Sequence, residues 1–178
     1  MAFVSVLKST LKNGNPGRPN PKNPYIIIFK ADDLAANPTK SADGVTVATD
    51  LVLKAGKSAI KIYGTPNTIS VHDNSSGDPD KKGFIHNLEF EHPGSSAEYS
   101  QFVNENLNEN LMSIVVYPDL DFNKLLGWPG NPLQLNHEQK DDKDSDTNTI
   151  KLVGLFAGDK ILHYTGAIPA IEGEASGA

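Results

Sequence analysis

The chain contains no cysteine among its 178 residues. Disulfide bonds and cysteine-ligated zinc sites are therefore excluded. Long hydrophobic runs are also missing, because the most apolar stretch, residues 25–29, is far too short to cross a membrane. The opening residues, MAFVSVLKST, lack the apolar run and cleavage site of a secretory signal. We therefore expect a protein without a membrane segment.

Positive charge is scarce relative to negative charge. The chain has 16 lysines and arginines against 22 aspartates and glutamates, which gives a formal net charge of -6. A protein that grips nucleic-acid phosphates needs a basic patch, so this composition disfavours one that holds DNA or RNA. The composition is compatible with DNA that passes nearby without being bound.

Recognised catalytic motifs are missing as well. The sequence has no Gly-x-Ser-x-Gly, no Gly-x-Gly-x-x-Gly, no phosphate loop and no His-Glu-x-x-His. Its five histidines include no closely spaced ligand pair: His72, His86, His92, His137 and His163. For His86 and His92, which alternate with apolar residues around a strand, we predict a hydrogen-bonded structural role. We expect a protein that is not an enzyme. Acid–base chemistry stays open, because any two carboxylates could meet in the fold.

One acidic stretch resembles the start of a calcium-binding loop. Asp142, Asp144 and Asp146 alternate as the first ligands of such a loop do. The sixth position, which requires glycine, is Thr147, and the twelfth, which requires glutamate, is Val153. We therefore predict a solvated acidic loop over residues 138–148, with no metal ion and no cofactor.

The remaining composition indicates one mainly β (α+β) domain. Hydrophobic residues make up 38% of the chain, which suffices for a core, while 15 glycines and 12 prolines indicate many turns. We predict a small β-barrel or sandwich with one flanking helix, long loops and an N-terminal arm. The arm covers residues 1–23, the domain covers residues 24–169, and a flexible tail covers residues 170–178.

The clearest local signal is a helix over about residues 95–108. After the break at Pro93-Gly94, Ser95 and Glu98 match the Ser-x-x-Glu capping box. An apolar stripe follows at helical spacing: Tyr99, Phe102, Val103 and Leu107. Residues 111–117 then have few polar positions, which predicts a strand covered on both faces.

Alternation of apolar and polar residues predicts the other strands. The cleanest period of two runs over residues 45–54 and predicts a hairpin with residues 60–63. Residues 64–83 are polar, which predicts a long loop, and residues 119–132 predict a turn-rich link. Further strands are expected at residues 24–29, 84–90, 133–135, 150–156 and 161–165, with a hairpin turn at Gly158-Asp159.

Several segments together carry a resemblance to a known family. Residues 45–63 have the pattern of a long hairpin, and residues 83–117 have the pattern of a strand–helix–strand unit. Two late segments are Leu126-Gly127-Trp128-Pro129-Gly130-Asn131-Pro132-Leu133 and Tyr164-Thr165-Gly166. In this order the segments resemble phage tail tube proteins, also called major tail proteins, and the tube proteins of contractile injection systems. The late segments resemble those of Bacteroidetes phages.

The resemblance implies a virion structural protein. Members of that family form hexameric rings that stack into a hollow tube, through which DNA passes without specific binding. The partners would be further copies of the chain and other virion tail proteins. The location would be the virion, assembled in the host cytoplasm.

Two segments are candidates for contacts between subunits. The arm contributes Phe3, Val4, Val6 and Leu7. The polar stretch contributes Thr68, Ile69, Ser70 and Val71, where apolar and polar residues alternate in a manner that suits extended backbone. We hypothesise that both segments become ordered only against a neighbouring subunit.

Two other classes of function stay open. A monomeric binding β-sandwich would present an exposed aromatic platform, for example around Trp128 and Tyr63. Trp128 could equally be a plug over the core. A small hydrolase with an unfamiliar site is the other class.

Overall fold

The structure is a computed structural model, and it describes residues 5–6 and 17–174. Within these residues it contains ten strands and one α-helix. The strands are β1 (Tyr25–Lys30), β2 (Thr46–Val47), β3 (Ile60–Tyr63), β4 (Ser70–Ser76), β5 (Gly83–Pro93), β6 (Leu111–Val115), β7 (Asn123–Leu126), β8 (Leu133–Asp141), β9 (Asp146–Gly154) and β10 (Leu162–Tyr164). The helix, α1, spans Ala97–Asn106. The prediction of a mainly β fold with one flanking helix is confirmed.

All ten strands belong to one sheet. Its order is β2-β10-β7-β6-β8-β9-β5-β4, and β1 joins β6 to β3. Neighbours are antiparallel, except for the parallel pair β10–β2. Among the described residues, β3 pairs only with β1, and β4 pairs only with β5. The sheet therefore has open edges and is not closed into the barrel that was one of the two predicted forms.

Strands β1 and β6 lie in the centre and are buried on both faces. Side chains that alternate along β1 enter two hydrophobic cores, Ile26 and Ile28 the first and Ile27 and Phe29 the second. All five residues of β6 are buried and divide between the faces in the same way. The predicted strand at residues 111–117, covered on both sides, is confirmed over residues 111–115.

Helix α1 covers the first core, as its apolar stripe predicts. Its cap, however, is Ser96, whose hydroxyl accepts a hydrogen bond from the Tyr99 N–H at 3.1 Å. The predicted cap, Ser95, instead donates to the Asp146 carboxylate at 2.9 Å. The Ser95–Glu98 capping box is therefore wrong by one residue. The reason is that the Ser95 hydroxyl is bound by Asp146, the first residue of β9.

Residues 45–63 do not form the predicted hairpin. β2 pairs with β10, and β3 pairs with β1. Between them, Leu51 is buried in the second core and Leu53 bridges Leu34. The Tyr164 hydroxyl holds this loop by accepting a hydrogen bond from the Leu51 N–H at 3.0 Å. The apolar alternation thus belongs to a loop that covers a core, because burial on one side produces the same pattern as a strand.

The predicted loop at residues 64–83 contains a strand, β4, in its middle. β4 pairs with β5 over its whole length, from Ser70 opposite Glu89 to Ser76 opposite Gly83. Its side chains are mostly polar and exposed, and an edge strand needs few apolar residues, so hydrophobic patterning missed it. β5 itself confirms the strand predicted at residues 84–90.

Two late strands have different partners from those expected. β7 lies inside the stretch that was predicted to be a turn-rich link. β10 confirms the strand predicted at residues 161–165 but pairs with β7 and β2 rather than with β9. The hairpin expected at Gly158-Asp159 is therefore wrong. Gly158 instead exchanges two backbone hydrogen bonds with Phe84, at 2.8 and 2.9 Å.

The end of the chain up to Glu174 packs on the sheet, whereas residues 17–23 belong to no strand. Residues 170–172, expected in the flexible tail, lie beside the start of β3. There the Ala170 carbonyl accepts from the Ala59 N–H and the Glu172 N–H donates to the Ala59 carbonyl, both at 2.8 Å. Residues 17–23 of the arm contain no helix or strand, in keeping with the extended linker predicted there.

We expect Ser96→Ala to lower the free energy of unfolding by about 1 kcal/mol, the usual loss when an N-cap hydroxyl is removed. Ser95→Ala removes two exposed hydrogen bonds, to Asp146 and from Gln139, and should change it by less than about 0.5 kcal/mol. Equilibrium unfolding in urea measures both. An equal or larger loss for Ser95→Ala would contradict the assignment of the cap.

Candidate functional site

A groove of about 770 Å³ lies between α1, β3 and residues 171–174. All four residues of β3 line it, because β3 has a strand partner on one side only. Helix α1 contributes Tyr99, Phe102 and Asn106, and the two aromatic side chains also pack toward the first core. A smaller groove of about 490 Å³ adjoins it and shares Lys61, Ile171 and Glu174. This double groove is the candidate functional site.

Charge in the larger groove is mainly negative. Its exposed acidic residues are Glu98, Glu105, Glu172 and Glu174. The lining includes one lysine, Lys61, and its ammonium already forms an ion pair with Glu174. The Glu105 carboxylate accepts a hydrogen bond from Gln101 at 2.7 Å. The groove therefore combines apolar and aromatic side chains with an excess of carboxylates, which suits a cationic, partly apolar ligand.

Two histidines lie against the Tyr99 ring at one side of the groove. The His92 ring stacks on Tyr99 with centroids 4.6 Å apart, and its Nδ1 donates to the Tyr63 carbonyl at 2.9 Å. The His137 ring lies 5.7 Å from the same Tyr99 ring, and its Nε2 donates to Asn148 Oδ1 at 3.1 Å. The ring N–H of His92 thus connects β5 to β3, and that of His137 connects the paired strands β8 and β9, which indicates a structural role for both.

His86 is buried and has both ring nitrogens engaged. Its Nδ1 accepts from the Gly127 N–H at 3.0 Å, so Nε2 carries the proton and donates to the Asp159 carbonyl at 2.8 Å. Burial lowers the pKa of His86 below its ordinary value. The neutral ring therefore connects β5 to two loops. The structural role predicted for His86 and His92 is confirmed.

Two buried tyrosine hydroxyls have no hydrogen-bond partner among the described residues, those of Tyr99 and Tyr117. Burial raises the pKa of each to about 12. The ring of Tyr117 has two lysine ammonium groups near it, Lys124 at 5.2 Å and Lys22 at 5.9 Å from its centroid. The Lys22 contact fixes the end of the arm next to β6.

No group of three or more metal-ligating side chains occurs within residues 5–6 and 17–174. Residues 138–144 are exposed, as predicted, but the predicted loop over residues 138–148 is mostly strand and its Asn148 is buried. β8 extends to Asp141 and β9 begins at Asp146, so residues 142–145 form the turn at the tip of this hairpin. There the Asp142 carboxylate accepts hydrogen bonds from the N–H groups of Asp144 and Ser145, at 2.9 and 3.0 Å. Its role in the structure is to close a turn.

Trp128 is half-buried against the second core. The Lys40 ammonium lies 4.9 Å from its ring centroid, and its backbone exchanges two hydrogen bonds with Asn131. These contacts favour the plug over the exposed binding platform.

The residues predicted to contact other subunits fall in different places. Ile69 is 4% exposed and Val71 packs against the same core, so these two side chains support the chain's own fold. The Thr68 hydroxyl accepts from the Glu91 N–H, and Ser70 is exposed at the start of β4. Val6 is 90% exposed, while Phe3, Val4 and Leu7 lie outside the described residues. A role in subunit contacts stays a prediction for all of them.

Sequence patterning did not find the groove. Its walls come from three separate segments, and no motif joins them. The signal that was available is a charge bias: Glu172 and Glu174 are the only acidic or basic residues after Lys160 apart from His163, while the arm carries only basic ones.

We expect Tyr99→Phe and Tyr117→Phe to leave the free energy of unfolding unchanged or to raise it slightly. Each substitution removes a buried hydroxyl that lacks a partner, and such a group costs about 1–3 kcal/mol. Urea unfolding measures the change, with Tyr164→Phe as the control, because that hydroxyl is hydrogen-bonded to Leu51 and Ala167. A loss at Tyr99 or Tyr117 as large as that at Tyr164 would mean that the hydroxyl has a partner.

The burial of neutral His86 predicts a pH dependence of stability. Because its pKa is lowered on folding, its contribution is complete above the unfolded value of about 6.5 and is lost as the pH falls through the folded value. We expect His86→Gln to be less stable than wild type at pH 8 but to lose less stability between pH 7 and pH 5. The exposed His72 is the control, since His72→Gln should keep the wild-type slope. An unchanged slope for His86→Gln would contradict this prediction.

No helix of the described residues is long and apolar enough to cross a membrane. Comparison with protein-family models, with curated proteins and with solved structures found no match to this chain.

Proposed function

We propose that this chain is a tail tube subunit, a virion structural protein whose copies form hexameric rings that stack around a DNA-conducting channel. The observation that carries the proposal is the outer edge of β4, which has no strand partner among the described residues. A seven-residue strand with a free edge can pair with a strand of another copy through backbone hydrogen bonds. Such pairing would join the sheets of neighbouring subunits.

The β4 edge has few of the features that prevent pairing, because its one aspartate, Asp73, forms an ion pair with Lys160 at 3.0 Å. Natural sheets protect edges with lysine, proline or a bulge. The sequence of β4, SVHDNSS, contains neither lysine nor proline, and its register with β5 is uninterrupted. Because the exposed side chains are polar, this edge would not drive nonspecific aggregation. These properties support a strand that pairs with one specific partner.

The distribution of acidic groups supports passage of DNA without binding. The tip of the β8–β9 hairpin exposes Asp141, Asp142, Asp144 and Asp146. Carboxylates that face a channel repel phosphates, so DNA would slide past them. The net charge of -6 points the same way.

The two alternative functions find less support. The histidines best placed for catalysis, His86, His92 and His137, use ring nitrogens to bind backbone or amide groups. Trp128, a candidate platform for a monomeric binding domain, is half-buried against the second core. A polymerising structural role needs neither a catalytic group nor an aromatic platform.

Negative-stain electron microscopy and sedimentation of the purified protein test the proposal, and we expect rings or tubes. His72→Lys/Asn74→Lys should abolish them, because two ammonium groups on the β4 edge oppose strand pairing. Gln134→Lys/Asn136→Lys is the matched control, since it adds the same charges at the same spacing on the interior strand β8. A wild type that stays monomeric, or an edge variant that still forms tubes, would contradict the proposal.

A further inference from the structure

The acidic groove between α1 and β3 has a free strand edge inside it. All four residues of β3 line the groove, and the side of β3 opposite β1 pairs with no strand of the described chain. At Ala59, just before β3, this same side already holds an extended segment through hydrogen bonds to Ala170 and Glu172. On this side the Tyr63 carbonyl already accepts from His92, so Lys61 and the Tyr63 N–H are the backbone groups of β3 placed to bind a second extended segment.

The charge and side chains of the groove define the segment that would fit. Glu98, Glu105 and Glu172 carry no ion pair to a described lysine or arginine within 4 Å, whereas Glu174 is paired with Lys61. Apolar contact area comes from Ile62, Tyr63, Phe102 and Ile171 among the lining residues. A segment that is extended, basic and partly apolar would match both properties.

Residues 1–16 of this chain have that composition. They include Lys8 and Lys12 and contain no aspartate or glutamate. Their apolar residues are concentrated at one end, in the run Ala2-Phe3-Val4-Ser5-Val6-Leu7, which is rich in residues that favour strands. We propose that this segment of one copy lies in the groove of a second copy, along the outer edge of β3.

The exposure of Val6 favours a second copy over the same chain. The end of the arm lies beside the smaller groove, because Asn23 lines it and the Pro24 carbonyl accepts from the Gly64 N–H at 2.7 Å. Val6, earlier in the arm, is not among the lining residues of the larger groove. In the isolated chain, moreover, the Val6 side chain is 90% exposed and not seated in the groove.

The contact joins the arm of one copy to the groove of another, which are two different surfaces. Such a head-to-tail contact repeats from copy to copy and builds either a closed ring or an open filament. The inference rests on the proposed function in one respect, which is that copies of the chain assemble with each other. It adds a specific site, distinct from the β4 edge, and a specific occupant.

A charge-swap experiment on the full-length chain tests the inference. The groove variant is Glu105→Lys/Glu172→Lys, and the arm variant is Lys8→Glu/Lys12→Glu. In each variant alone, arm and groove carry like charges, so we expect self-association in sedimentation velocity to weaken at least roughly tenfold. An equimolar mixture of the two variants should recover association. The wild-type arm of the groove variant can bind the wild-type groove of the arm variant, and the acidic arm of the arm variant can bind the basic groove of the groove variant.

The matched control is Glu138→Lys/Asp141→Lys, which makes the same charge change on exposed residues of the β8–β9 hairpin and should associate like wild type. Single variants that associate like wild type would overturn the inference. So would a mixture that stays dissociated while a chain carrying all four substitutions recovers, because the arm would then occupy its own groove.

The same measurements separate this inference from the tail tube proposal. Tubes formed equally by wild type and both variants would leave the tail tube proposal standing and refute the contact between arm and groove. Charge-dependent association without rings or tubes would support the contact and refute the tail tube proposal. A monomeric wild type would refute both.

Discussion

The pairing of β1 with β6 is the contact on which the remaining structure depends. Their register sets Ile27 opposite Ile114 and Phe29 opposite Met112, and their side chains supply both cores at once. The polar residue in the middle of β6, Ser113, is fully buried and donates its hydroxyl to the Ile27 carbonyl at 3.0 Å. Each large aliphatic side chain buried here contributes about 1.5–3 kcal/mol, so the pair holds a large share of the hydrophobic free energy. The outer strands extend the sheet from this centre.

Elements with strong hydrophobic patterns could be predicted from the sequence, whereas pairing partners could not. β5 and α1 have apolar residues at a clear period, whereas β1 and β6 are nearly continuous apolar runs, and all four lie where these patterns place them. Hydrophobic patterning missed β4 because this strand is polar. It also predicted a strand around Leu51, which is buried but lies in a loop. Local pattern reports which side of a segment is buried. It does not report which strand lies beside that segment, and this is why the neighbours predicted for β3 and β10 are wrong.

The candidate site was less predictable than the fold. Its groove depends on the distance between α1, β3 and residues 171–174, which only the folded chain determines. The helix cap shows the same limit on a small scale, because Ser95 and Ser96 have identical chemistry. Asp146, distant in sequence, engages the first and leaves the second to cap the helix. The hydrogen bonding of His86 and His92 was predictable, because a histidine among apolar residues must satisfy its ring nitrogens when buried.

The order of β1 and β6 along the chain has a consequence for synthesis on the ribosome. Tyr25–Lys30 is made early, but its two partners, Ile60–Tyr63 and Leu111–Val115, emerge later, and the second of them only after the whole of α1. During that interval the strongly apolar β1 lacks the strand that pairs with its β6 edge. Long-range pairing of this kind folds slowly and leaves apolar segments exposed to aggregation. A nascent chain that stalls before residue 111 would therefore be a substrate for chaperones that bind extended apolar segments, with residues 26–29 as the site they bind.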